Sequence, residues 1–100
     1  MLRITIQDEA QSPTIKLEGK IVGPWVLELR RTWQSFAPSL GSRELSLDLR
    51  GVNFVDAEGR KLLREIYQES SAHFLADSPL TAYFADLATR PVSTAEEKGA

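Results

Sequence analysis

Apolar and polar residues alternate strictly in three early segments of the chain. Leu2, Ile4 and Ile6 alternate with Arg3, Thr5 and Gln7, Ile15 and Leu17 with Thr14, Lys16 and Glu18, and Leu45, Leu47 and Leu49 with Ser46, Asp48 and Arg50. A period of two predicts strands with one buried face. Residues 8–13, which join the first two, are polar and too few for a crossover helix, so the pair is expected to form an antiparallel hairpin. Gly23-Pro24 ends the second strand region and opens a helix, because proline's fixed φ and missing N–H suit the first helical turn. Trp25, Leu29, Trp33 and Phe36 then recur at helical spacing, with Glu28, Arg30, Arg31, Gln34 and Ser35 on the wet side. The composition of residues 37–42 predicts a loop leading back to a third strand at 44–49.

Beyond Gly51-Val52-Asn53-Phe54-Val55, the carboxylate of Asp56 is placed to cap a helix beginning at Ala57, with Leu62, Leu63, Ile66 and Tyr67 as its buried stripe. Residues 73–76 are short and apolar, which predicts a fourth strand. Ser78-Pro79 starts a last short helix anchored by Leu80, Phe84 and Leu87. The order strand, strand, helix, strand, helix, strand, helix predicts an α/β domain over residues 1–88. Its sheet is expected to be mixed, with four or five strands and helices mainly on one face, since the continuous apolar runs of a doubly covered parallel sheet are missing. Residues 89–100 hold Val92 as their one large apolar side chain, and a disordered tail is expected there.

Charge and composition remove several functions. Twelve basic residues against fourteen acidic ones, a net charge of -2, lack the electrostatic footprint of a nucleic-acid partner. With no cysteine there is no disulfide framework, thiolate metal site or cysteine nucleophile, and the single histidine, His73, excludes zinc held by paired imidazoles. His73 also has no serine or cysteine at a recognisable spacing. Asp56 and Glu58 are two apart and do not face each other on a helix, so they make no acid/base pair. The glycines are scattered, without a phosphate-cradling loop. A non-catalytic protein without cofactor or metal is therefore expected. The longest apolar stretch, residues 21–29, is broken by Gly23, Pro24 and Glu28 and falls short of the roughly 20 residues that span a bilayer. The alternating start is unlike a signal peptide. No direct membrane insertion and a cytoplasmic location are expected.

The densest motif is LDLRGVNFVDAEGRKLL, from Leu47 to Leu63. It resembles the signature of the STAS domain, the family of anti-sigma factor antagonists and of the cytoplasmic domains of sulfate transporters. There an Asp-Leu-Ser-Gly-Val strand end leads through an apolar-Asp-Ser-Ser-Gly-Leu turn into the second helix, and Asp48, Leu49, Gly51, Val52, Phe54, Asp56 and Gly59 match. The resemblance extends more loosely from Leu2 to Leu87, including Leu17-Glu18-Gly19. It implies a bacterial signalling domain that regulates transcription by binding a protein, an anti-sigma factor-like kinase. Two other readings stay open: an accessory subunit of a membrane transport ATPase, and a sensor of a small anionic nucleotide or lipid at the start of the second helix, where free N–H groups favour anions.

The sequence departs from the family where the family's switch lies. The serine after the turn aspartate, phosphorylated by the kinase in sporulation-type antagonists, is replaced by Ala57, which has no oxygen to accept a phosphoryl group. Glu58 and Arg60 replace the usual serine and leucine. Glu58 either imitates a phosphoserine or complements the helix macrodipole, worth about 0.3–1 kcal/mol. Asp56 reads as a cap, against the alternative of a receiver-type phosphoacceptor with Asp8 and Glu9 as its metal pair, since in a receiver the first strand feeds a helix. Trp25 and Trp33 share a helix face, either as core or as a ligand site. The Arg30-Arg31 pair reads as a solvated face with Glu28 as partner to Arg31. The partner surface is expected to centre on Asn53, Asp56, Ala57, Glu58, Arg60, Lys61 and Arg64.

Overall fold

The computed structural model describes residues 1–90. Strands β1 (Leu2–Gln7) and β2 (Thr14–Ile21) form the expected antiparallel hairpin. Helix α1 (Pro24–Leu40) then carries the chain back to β3 (Ser46–Val55), and α2 (Ala57–Ser70) to β4 (His73–Leu75), before α3 (Pro79–Thr89). Each crossover helix returns the chain to the same end of the sheet, so β2–β3 and β3–β4 pair in parallel, and the four strands lie in the order β1-β2-β3-β4. The sheet is mixed and four-stranded.

Alternation decides which face is covered. Ile15, Leu17, Leu47 and Leu49 are fully buried beneath the helices with Leu29, Leu62, Leu63 and Ile66, while Arg3, Lys16, Glu18 and Arg50 stay exposed or half-exposed. α2 packs between α1 and α3, which makes one helical layer. Asp48 is the exception, 3% exposed among the polar positions of its strand. Arg50 covers it, with Nε 3.0 Å from Oδ1 and Nη2 2.9 Å from Oδ2, and the Arg50 amide also donates to Oδ1 at 3.0 Å. That guanidinium holds the Asp48 carboxyl below its ordinary range, against the opposing effect of burial.

Several boundaries differ from those read in the sequence, each for a local reason. Residues 37–40 continue α1 instead of forming a loop: Pro38 costs only one N–H near the end of the helix, and Leu40 is buried. Arg43 closes that end, with Nε on the Leu40 carbonyl (3.1 Å) and Nη2 on that of Ser39 (2.7 Å), while Nη1 reaches Asp8 Oδ1 (2.7 Å) and the Glu9 carbonyl (2.9 Å). β3 runs on to Val55, since the ladder with β2 shifts register on either side of Glu18 and Gly19 and so keeps Val52 and Val55 inward. In α3 the buried residues are Thr81, Phe84 and Ala88, whereas Leu80 is 46% exposed and Leu87 half-buried. The capping box between Ser78 and Thr81 fixes that rotation by turning Thr81 inward. Arg30, expected in solvent, pairs with Glu65 of α2 at 2.7 Å. Thr89 belongs to α3 and Arg90 caps it, so the domain reaches past residue 88, and the rest of the expected tail, 91–100, lies outside the described residues.

The seat of α2 depends on one missing side chain. A Cβ on Gly59 would lie 2.8 Å from both the Ile21 carbonyl oxygen and Val55 Cγ1, so only glycine lets the first turn of α2 rest on the ends of β2 and β3. Gly59→Ala is expected to lower the unfolding free energy by about 1–3 kcal/mol through overpacking, although removing a glycine from an ordinary helix interior gains roughly 0.5–1 kcal/mol. Urea denaturation of the two proteins decides the sign, and a gain in stability would mean the contact is not there.

Candidate functional site

The turn from β3 into α2 is organised by Asp56. Its backbone N–H donates to the Ile21 carbonyl (3.1 Å), the last link between β3 and β2. Its side chain is the N-cap of α2: Oδ1 accepts from the Gly59 amide at 2.7 Å. Oδ2 accepts from the amide of Gly23 at 3.0 Å. Gly23 is the N-cap residue of α1 and sits at φ +51°, a left-handed conformation that glycine adopts without strain. One carboxylate thus ties the starts of two helices to the end of the sheet. The Gly59 amide first, and the Gly23 amide second, hold its pKa below the usual carboxylate range. With both oxygens engaged, Asp56 serves as a cap and a staple rather than a receiver-type phosphoacceptor.

The first turn of α2 presents Ala57, Glu58, Arg60 and Lys61 to solvent, with Glu58 Oε2 3.0 Å from Lys61 Nζ. Asn53, one strand position before Phe54, is exposed and its Oδ1 accepts from Lys20 Nζ at 3.2 Å. The structure thereby brings Asn53, Asp56, Ala57, Glu58, Arg60 and Lys61 into one corner. Arg64 lies apart, because its Nη2 donates to the Leu87 carbonyl of α3 at 2.9 Å and so secures the seam between the helices. The anion site imagined at this helix start is compromised: the Gly59 amide is taken by Asp56, and the mouth carries Asp56 and Glu58.

Two members of the corner were missed in the sequence. Phe54 is 50% exposed, and Lys20 stands opposite it in the parallel register. Parity gave no signal for it: period two counted from Val52 puts Phe54 inward, and the register shifts in the ladder with β2 break that parity and leave Phe54 outside. The tryptophans separate, Trp33 buried with Nε1 donating to Glu69 Oε1 (2.9 Å) and Trp25 half-buried at the start of α1. Asp8 is committed to Arg43. Among the described residues no group of three acidic or imidazole side chains could hold a metal, and no helix is long and apolar enough to cross a membrane.

No family model matches the chain, and no curated protein matches it. Among solved structures, an anti-sigma factor antagonist from Mycobacterium paratuberculosis superimposes with a TM-score of 0.72 at 17% identity, over 99% of this chain and 93% of that one. This chain has the anti-sigma factor antagonist fold. A second structure, that of Mglu, matches with a TM-score of 0.56 and 18% identity over 75% of this chain but 19% of its own. The corner built by Asp56 lies within the resembling motif, at the entry to the second helix.

Asp48 and Asp56 are expected to make this chain acid-sensitive. An unfolded aspartate titrates near about pH 3.9, and both carboxyls titrate lower in the fold, so the unfolded chain binds more protons in this range. Their contribution is complete above about pH 5 and is lost as pH falls through 3.9 toward the folded values. Asp56→Ala is expected to cost about 1–2 kcal/mol at neutral pH. Asp56→Asn keeps an acceptor, costs less, and flattens part of the acid limb while Asp48 retains the remainder. Denaturant melts from pH 7 to pH 3 measure both, and an unchanged acid limb in the Asn variant would remove Asp56 from the account.

Proposed function

We propose that this domain is a non-catalytic regulator that acts by binding a protein, in the manner of an anti-sigma factor antagonist, and that serine phosphorylation at the usual position does not switch it. The observation that carries this reading is the corner at the start of α2. Asp56 fixes the backbone there through two amides, while Ala57, Glu58, Arg60 and Phe54 remain accessible around it. A half-exposed phenylalanine bordered by charged side chains has the make-up of an interface anchor with a polar rim. The fixed charges of Glu58, Arg60, Lys61 and Lys20 supply the electrostatic selection of a partner. The resemblance of residues 47–63 and the fold support a partner class, an anti-sigma factor of the kinase type.

Ala57 keeps the shape of the corner and removes its chemistry. A phosphoryl group would add about 1.5 to 2 negative charges beside Asp56 and Glu58 and drive a partner off. A methyl group takes no phosphate, so the surface stays in its binding state. Glu58 adds one charge of its own, but the carboxylate sits 3.0 Å from Lys61 and is partly neutralised there. Helix complementation accounts for Glu58 without a phosphate mimic.

Titration calorimetry against a purified kinase-type anti-sigma factor tests the reading. Phe54→Ala is expected to weaken binding by about tenfold or more, as loss of an anchor does, and Arg60→Glu to weaken it further at low salt. Neither should shift the melting temperature by more than a few degrees, since both side chains are exposed. Labelled ATP should leave the wild-type chain unmodified at the turn and mark Ala57→Ser. Binding indifferent to both surface variants, or phosphate incorporated at the wild-type turn, would defeat the proposal.

A further inference from the structure

Among the described residues the sheet ends at β1, which pairs with β2 alone and leaves its other edge open. The alternation of an antiparallel ladder fixes which backbone groups face that edge. The Lys20 N–H donates to the Met1 carbonyl at 2.9 Å, so Met1 and Lys20 are a hydrogen-bonded pair. The register continues with Leu2 opposite Gly19 and Ile4 opposite Leu17, so Leu2, Ile4 and Ile6 point their N–H and C=O groups away from β2. The same three residues carry the apolar side chains, and their cover thins along the strand. Leu2 is buried, Ile4 half-buried and Ile6 37% exposed. Beside them α1 stands off and leaves two cavities of about 520 and 470 Å³ that share Ile6 and Thr32. Trp25 and Phe36 also line this trough, and Glu28 and Arg31 bring opposite charges to it. The edge is thinly protected: β1 holds no proline or lysine and a single charge, Arg3, on the face away from the helices, and its ladder with β2 runs without a bulge.

We propose that this edge is a self-association surface, filled by β1 of a second copy in antiparallel pairing about a two-fold axis through Ile4. An added strand must offer free backbone groups from alternate residues and set apolar side chains above the trough. β1 satisfies both at once, because its free backbone groups and its apolar side chains belong to the same residues. About that axis Ile4 meets its own copy and Leu2 meets Ile6, so every apolar residue faces an apolar one. On the opposite sheet face Arg3 meets Thr5, and no cation opposes a cation. The charges of Glu28 and Arg31 offset each other, which suits a strand with uncharged helix-side residues over an acidic or basic segment. A ladder of six residues per copy lies at the small end of specific interfaces, so the association depends on concentration.

Sedimentation velocity from about 10 µM to about 1 mM, the span in which small interfaces associate, should show the mass rising from 11.2 kDa toward twice that value. Ile6→Lys places a charge over the trough at a half-exposed position and is expected to abolish the rise while leaving the thermal melt unchanged. Thr5→Glu sets a carboxylate opposite Arg3 of the second copy and should tighten the dimer about threefold or more. A single 11.2 kDa species at the highest concentration overturns the proposal, as does a dimer that survives Ile6→Lys. A dimer lost in Ile6→Lys but indifferent to Thr5→Glu overturns the register through Ile4.

Discussion

The seat of α2 on the strand ends rests on the Asp56 carboxylate. Three separate chain segments converge there: the end of β3, the Gly23 turn before α1 and the first turn of α2. Each oxygen accepts one amide, which answers an orphan donor of a helix start. The two glycines make this possible in different ways. Gly23 supplies a backbone conformation that other residues adopt only with strain, and Gly59 supplies the absence of a Cβ against the Ile21 carbonyl. The same amides that use the carboxylate hold its pKa below the ordinary aspartate value.

A rigid corner is useful to a binding domain because little order remains to be imposed when a partner arrives. On the proposed reading, the side chains that meet the partner are exposed ones the staple does not use: Phe54, Asn53, Glu58, Arg60 and Lys61. Arg64 illustrates the contrast. From the sequence it is another cation on the same helix, yet its guanidinium is spent on the carbonyl of Leu87, where it joins α2 to α3. Charge reversal at Arg64 would therefore report on helix packing, whereas Arg60 reports on the surface.

Much of this was legible before the structure. Period-two alternation named β1, β2 and the first half of β3, and proline, aspartate and serine marked the three helix starts. The motif from Leu47 to Leu63 pointed to the fold and to the corner. What stayed hidden depends on contacts between distant residues. Residues 37–40 look like a loop until Arg43, bound also to Asp8 and Glu9, is seen to close the helix over Pro38. Ile6 looks buried by parity, but parity gives only the face, and α1 does not reach far enough to cover the edge strand. Leu80 and Leu87 look like anchors until the capping box turns Thr81 inward in their place.

On the functional reading proposed above, the loss of one hydroxyl changes the kind of control available. A domain with a phosphorylatable serine at the turn has two states of one surface, and a kinase moves it between them. With Ala57 the surface has one state, so occupancy follows from affinity and from the concentrations of the domain and its partner. Further control then acts through the abundance of the partner or through another signal. An edge strand that pairs with a second copy is a device of that kind, because self-association responds to the amount of protein present. β1 begins opposite Gly19, two residues from the Ile21 carbonyl on which the first turn of α2 rests. The open edge and the proposed binding corner therefore meet through a single stretch of β2.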